Sequence, residues 1–175
     1  MSDRLKGFSP IADPDARVLI LGSMPGEASL RRGQYYAHPR NQFWEIMGEL
    51  FGAGRDLPYP ARLQRLRTRR IALWDVVHQC LREGSLDSAI EPDTVEVNDV
   101  DALLADCPGI ETIFFNGRKA EDLFLKRVKP GLIEVPELVR LPSTSPAHAS
   151  LSRRGKVACW HQIRERLDMP ARKSE

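Results

Sequence analysis

The chain has 175 residues, of which 42% are hydrophobic and 29% charged, with a mean hydropathy of −0.37; this is enough for one sizeable core and short for two domains, and it excludes disorder over most of the length. The 26 Lys and Arg nearly cancel the 24 Asp and Glu, leaving a formal charge of +2, so a nucleic-acid surface has to be local rather than a property of bulk charge. No apolar run approaches a membrane span and Met1 to Ser9 lack a signal-peptide core, so a cytoplasmic protein with no membrane partner is expected.

Arg17 to Gly22 (RVLILG) is a continuous apolar run closed by glycine, the pattern of a strand buried on both faces in a parallel sheet. The loop Gly22-Ser23-Met24-Pro25-Gly26 follows it. The loop matches neither GxxxxGK[ST] nor GxGxxG, so a nucleotide cofactor has no support. It reads either as a tight turn bringing backbone N–H groups to a ligand or as an ordinary strand-to-helix turn.

Next comes Tyr35-Tyr36-Ala37-His38-Pro39-Arg40-Asn41-Gln42-Phe43-Trp44, a dense mix of aromatic, cationic and amide groups. Adjacent tyrosines in a loop can stack on a planar base, Arg40 can meet a phosphate, and Asn41 can bond polar groups. Asn41 to Leu50 predicts a helix with Phe43, Trp44, Met47 and Leu50 on its buried face and Asn41 available as cap. Pro58 and Pro60 separate it from a basic, leucine-containing segment, Ala61 to Arg70, whose Arg62, Arg65, Arg67, Arg69 and Arg70 read better as a solvated face than as a DNA patch.

Ile71 to Val77 (IALWDVV) is the second predicted strand, Val100 to Cys107 a helix entered through Asn98 or Asp99, and Ile110 to Phe115 the third strand. An Asn116-Gly117 turn leads to a helix over Lys119 to Val128, and Leu138 to Leu141 is a short fourth strand. The loop Pro142 to Ser150 carries two prolines and, between them, the three hydroxyls of Ser143, Thr144 and Ser145, able to contact phosphate, and the chain closes with a helix from Arg153 to Leu167 whose buried side is Val157, Trp160, Ile163 and Leu167.

Strands alternating with helices predict an α/β fold, a three-layer α/β/α sandwich around a central, mostly parallel four-stranded sheet. One domain over residues 1–168 is expected, with a polar tail over 169–175. Ligands in such folds bind beyond the carboxyl ends of the strands, which singles out the loops Ser23 to Arg40, His78 to Leu86, Asn116 to Lys119 and Pro142 to Arg154. Cys80, Cys107 and Cys159 form no CxxC pair, so they are expected as reduced, mostly buried thiols, and neither metal nor cofactor is expected.

Five segments in order, LILGSMPGEAS, GQYYAHPRNQFW, IALWDVVHQCLREGSLDS, FFNGRKA and LPSTSPAHAS, span Leu19 to Ser150. Together they resemble the uracil-DNA glycosylase superfamily, most closely its hypoxanthine-DNA glycosylase branch. The resemblance implies base excision without a cofactor or metal. In the uracil- and mismatch-specific relatives the first motif carries Asp or Asn where this chain has Met24, and that residue helps activate or position water. In the hypoxanthine branch the essential amide belongs to the asparagine of the HPRN segment, here Asn41. The last motif departs from the HPSPLS and NPSGLN forms, and no leucine stands at the wedge position.

On this resemblance Asn41 is the first catalytic candidate, as a neutral amide that positions water or bonds the base. Asn116 is the second, with a left-handed turn residue as its alternative, and His148 the third, as leaving-group stabiliser or DNA contact. Gly22, Ser23, Met24, Tyr36, Asp75 and Phe115 are expected to bind the base, Asp75 by accepting a base N–H unless it caps a helix. Arg40, Ser143, Ser145, Arg153 and Arg154 are expected to hold the DNA backbone. The implied activity is monofunctional hydrolysis of a deaminated base, hypoxanthine first and uracil second, with Lys119 the one lysine worth checking for a Schiff base. The expected partner is double-stranded DNA containing deaminated bases, single strands being left open, and a monomer is the default. Three alternatives stand beside it: a uracil or G:U/T mismatch glycosylase, a non-catalytic DNA-binding module of the same fold, and a small-molecule hydrolase relying on Ser143 or Ser145 with His148.

Overall fold

A computed structural model describes residues 3–173; the first two residues of the N-terminal segment and the last two of the predicted tail lie outside the described residues. The central sheet is formed by β2 (Val18–Gly22), β3 (Ile71–Asp75), β6 (Thr112–Asn116) and β7 (Glu137–Leu141), all parallel, in the order β3-β2-β6-β7. Every residue of β2 is buried, as its unbroken apolar run requires of a strand with a neighbour on each edge and helices on each face.

Alternation along β2 divides the core in two. Val18 and Ile20 face α2 (Phe43–Phe51), α3 (Tyr59–Thr68) and α6 (Arg153–Asp168), where Trp44, Leu66, Trp160 and Ile163 complete the packing. Leu19 and Leu21 face α4 (Val100–Asp106) and α5 (Arg118–Arg127), against Leu103, Leu123 and Phe124. Each fully buried side chain of this kind stabilises the fold by roughly 1.5–3 kcal/mol relative to exposure. The three layers match the sequence expectation. Helix limits shift by a residue or two, and α3 starts before the predicted Ala61, since Pro60 fits the first turn of a helix where no N–H is needed.

Two features depart from expectation. The predicted strand Ile71 to Val77 is two strands: β3 ends at Asp75, and β4 (Val77–Cys80) joins a small antiparallel sheet with β1 (Leu5–Lys6) and β5 (Glu96–Val97). The chain crosses over at Val76, whose N–H donates to the Gly22 carbonyl at 2.8 Å, while Asn98 Nδ2 donates to the Asp75 carbonyl at 2.8 Å. The second departure is α1 (Glu27–Arg32), within what reads as a loop. Gly26 offers it no side-chain cap, and the Ser85 hydroxyl, distant in sequence, accepts from Glu27 N–H at 2.9 Å instead.

The sequence runs from β2 outward to β3 on one side and, later, to β6 on the other, so β2 is where the strand order reverses. The carboxyl end of β2 is Gly22, and in open parallel sheets this is the place where a crevice forms.

Candidate active site

A cavity of about 770 Å³ opens at the carboxyl ends of β2, β3 and β6. At its floor Gly22 is the only residue type that fits: a Cβ there would lie 2.4 Å from Asp75 Oδ1 and 2.8 Å from the Tyr36 hydroxyl. The absence of that carbon lets a carboxyl and a phenol converge on the end of β2. Tyr36 adopts a left-handed φ of 54° and stacks on Phe43 with ring centroids 4.0 Å apart, so one face of the ring expected to stack on a base is already covered. Its hydroxyl is buried without a hydrogen-bond partner, and burial with the nearby Asp75 charge pushes the phenol above its ordinary pKa.

Asp75 caps no helix. It is buried, its Oδ2 has no hydrogen-bond partner, and its pKa is pushed up to about 7, first by burial and then by Asp87, against the opposing charge of Arg82. Asp87, also raised by burial, accepts a hydrogen bond from the Ser23 hydroxyl at 2.6 Å. Arg82 donates to the Pro25 carbonyl at 2.7 Å and so ties the loop after β2 to the segment after β4.

On one wall, Asn41 Oδ1 accepts the Phe43 N–H at 3.0 Å, an Asx turn that leads into α2. The N-cap position itself is Gln42, so Asn41 caps from one residue further out. This fixes the amide oxygen and leaves Nδ2 as the end able to serve a ligand. Arg55 holds the same loop from behind, donating to the main-chain carbonyls of His38 at 3.0 Å and Asn41 at 2.9 Å while its Nε pairs with Glu45 at 3.1 Å. His38 Nδ1 accepts the Arg40 N–H at 3.1 Å, which assigns the proton of the neutral ring to Nε2.

On the opposite wall, Asn116 does not take the left-handed turn conformation; the positive φ, 91°, belongs to Gly117, where a Cβ would meet Ser143 at 2.9 Å. Asn116 is bonded through both ends of its amide to buried Thr144. Ser143 Oγ accepts from Ser145 N–H and Ser145 Oγ from Ala147 N–H, each at 3.2 Å, which leaves each hydroxyl its proton to donate. His148 lines the cavity, with its carbonyl taken by buried Lys156 at 2.7 Å. Its Nε2 lies 3.5 Å from Ser150 Oγ and makes no hydrogen bond to Ser143 or Ser145, so the serine–histidine pair that the small-molecule hydrolase alternative would need is not formed.

Gly22, Ser23, Met24, Tyr36, Arg40, Asn41, Asp75, Asn116, Ser143, Ser145 and His148 thus share one cavity. Phe115 is a correction: it is fully buried on the far side of the sheet, 5.1 Å from the Phe124 ring, and does not line the cavity. In a strand buried on both faces, alternation sends Phe115 into one core layer and Phe114 into the other, and neither direction leads to the strand end. Arg153 and Arg154 sit outside on the exposed start of α6, Arg153 3.8 Å from Glu49. Lys119 does not line the cavity either. Four of the five arginines in and just after α3 have local partners: Arg62 lies over Trp44, Arg69 over Phe51, and Arg67 and Arg70 pair with Asp13 and Asp15. Arg69 and Arg70 precede β3, at the end of the sheet opposite the cavity.

Sequence reasoning passed over Asp87, Arg82, Ser85, His38 and Arg55. Asp87 and Ser85 stood within the quoted REGSLDS stretch, but only the fold shows that this segment returns to the loop after β2. All three cysteines are free thiols, Cys80 and Cys107 buried. Among the described residues no cluster of three His, Cys, Asp or Glu side chains could hold a metal ion. The cavity joins a desolvated acidic floor to walls of amide and hydroxyl donors and a mouth carrying Arg40. Such a site can take a flat polar heterocycle inside and an anionic backbone across its rim.

Comparison with known proteins gives the same picture. The model of the uracil DNA glycosylase superfamily matches residues 9–167. Two curated relatives bear the name hypoxanthine DNA glycosylase: one from Methanosarcina barkeri, 39% identical over 116 residues, and one from Methanosarcina acetivorans, 42% identical over 116 residues. Each alignment spans 66% of this chain and 72% of the relative. The solution NMR structure of a Methanosarcina acetivorans protein, provisionally described as a uracil DNA glycosylase, matches with a TM-score of 0.78 at 35% identity, covering 95% of this chain and 100% of that one.

Proposed function

The chain belongs to the uracil DNA glycosylase superfamily, and from that premise we propose that it is a monofunctional DNA glycosylase, releasing a deaminated base by hydrolysis of its N-glycosidic bond and leaving an abasic site. Hypoxanthine is the first substrate and uracil the second, in keeping with the names of the curated relatives. The protein acts as a monomeric catalytic domain over residues 1–168, on double-stranded DNA. A mispaired base costs less to extrude than a paired one, so part of the selectivity for deaminated bases precedes any contact in the pocket.

The observation that carries this reading is the convergence of Asn41, Asn116 and the Gly22–Met24 turn on one cavity large enough for an extruded base. Bond cleavage places positive charge on the sugar and negative charge on the departing base, and preorganised donors lower that barrier. Asn41 has its oxygen committed to Phe43, so its Nδ2 donates to the base or to the attacking water. Asn116 acts mainly by holding the Thr144 wall in place. Ser143, Ser145 and Arg40 take the flanking phosphates.

The test is base release from oligonucleotides carrying hypoxanthine, uracil, xanthine or thymine, mispaired and single-stranded, with wild type and Asn41→Ala. Alkali-labile sites at inosine that fall by about 10²-fold or more in the variant, with DNA binding retained, are expected. Release of uracil alone moves the specificity within the superfamily. No release of any base, with binding intact, leaves a DNA-binding module as the better account.

A further inference from the structure

We propose that Asp75 is the general acid of the reaction, holding a proton at the cavity floor and passing it to the imidazole-ring nitrogen N7 of a purine leaving group. The inference rests on the glycosylase reading and assigns a proton donor within it.

Three carboxyl residues line the cavity; Glu27 is exposed, and the surroundings of the other two differ. Asp87 has the Ser23 hydroxyl at 2.6 Å to support a negative charge. Asp75 has no comparable support: it is buried, Oδ2 has no hydrogen-bond partner, and Oδ1 packs at the bare Cα of Gly22 beside an unpartnered phenol. A carboxyl that is desolvated, unbonded and next to a second carboxyl keeps its proton, because its charged form has nothing to replace lost water. The charged and titratable groups facing it are Asp87 and Arg82 from the segment after β4 and Tyr35 and Tyr36 from the loop before α2. Of these only Arg82 favours ionisation, and two of its three guanidinium nitrogens, Nη2 and Nε, are engaged with the Pro25 and Gly84 carbonyls.

The proton balance closes. As the N9–C1′ bond breaks, its electron pair stays with the base, the Asp75 O–H bond breaks and an N7–H bond forms, so hypoxanthine departs neutral. Water then bonds to C1′, and the proton it sheds returns to the Asp75 carboxylate. A pyrimidine has no N7, so its departure does not draw on this proton.

The experiment is single-turnover release from deoxyinosine and from 7-deazadeoxyinosine, which lacks the basic nitrogen, at pH 5 to 9, with Asp75→Asn and Asp87→Asn. On deoxyinosine the wild-type rate is expected to fall above about pH 7, and Asp75→Asn to lower it by about 10²-fold at pH 6 and to abolish that pH dependence. On the 7-deaza substrate wild type is expected to be slow and Asp75→Asn to add little. Asp87→Asn keeps the acid and removes the charge that holds its proton, so the falling limb should move to lower pH. Equal slowing of both substrates by Asp75→Asn, an unchanged pH profile in that variant, or a limb that Asp87→Asn does not move would each overturn the assignment. Wild-type protein that releases no hypoxanthine overturns the glycosylase reading itself, and this proposal with it.

Discussion

Asn116 and Thr144 hold each other reciprocally: Asn116 Nδ2 donates to Thr144 Oγ1 at 2.9 Å, and Thr144 N–H donates to Asn116 Oδ1 at 2.9 Å. The pair joins the end of β6 to the loop after β7, so one amide locks together the two segments that form that wall of the cavity. Thr144→Val keeps the shape and leaves Nδ2 without its acceptor, a loss of about 1–3 kcal/mol, which for a domain of this size lowers the melting temperature by roughly 2–4 °C per kcal/mol. Asn116→Ala removes both bonds and should cost more. The double variant should fall short of the sum of the two single losses, and additive losses in thermal melts would show that the two side chains act independently.

Arg55 supports the other wall through the backbone. Its two bonds to the His38 and Asn41 carbonyls set where the Asn41 amide points, and a displacement near 1 Å can cost about 10²-fold in rate. Arg55→Ala should therefore slow single-turnover base release by roughly 10- to 100-fold while DNA affinity changes much less. Arg55→Lys should recover little, since an ammonium cannot span both carbonyls and Glu45 as the planar fork does. Full recovery by lysine would show that only the charge matters.

The parallel sheet and its helices were legible because unbroken apolar runs such as Val18–Gly22 and the periodic faces of α2 and α6 each admit one packing solution. The same property hid other features. Ile71 to Val77 is apolar on both sides of Asp75, so one lone carboxylate is the only sign that one sheet ends at Asp75 and another begins at Val77. Phe115 sits beside Asn116 in sequence, but its side chain turns into the core while Asn116, at the end of the strand, reaches the cavity. Asp87 and Arg55 were invisible for a different reason: each acts on partners 64 and 14 to 17 residues away, through contacts that only the fold creates.

Asp75 makes stability depend on pH in a direction unusual for a carboxylate. Its pKa rises from 3.8 to about 7 on folding, so the folded state holds a proton that the unfolded chain has released between those values. The group's contribution is therefore fully present below about pH 4, declines as pH rises towards 7 and is lost above it, with a total of about 4 kcal/mol. Asp75→Asn cannot ionise and should escape this loss. It should match or trail wild type at pH 4 and exceed it in denaturant midpoint at pH 8, with the gap widening between. A gap that is constant across this range would mean that Asp75 titrates alike in both states.

Arg153 and Arg154 lie outside the cavity on the exposed first turn of α6, so as DNA contacts they are expected to meet the backbone rather than an extruded base. Arg153 is 3.8 Å from Glu49, whereas Arg154 makes no ion pair among the described residues, so Arg154 is the freer of the two to neutralise a phosphate. Each phosphate neutralised releases condensed counterions and adds about 0.9 to the slope of log K against log salt on duplex DNA. Arg154→Ala should weaken binding to damaged and undamaged duplexes alike and reduce that slope by about 0.9, and Arg153→Ala should do less because Glu49 already competes for its charge. A salt titration by fluorescence anisotropy measures both. Selective loss of affinity for the damaged duplex would place Arg154 in base recognition instead, and an unchanged slope would remove it from the DNA interface altogether.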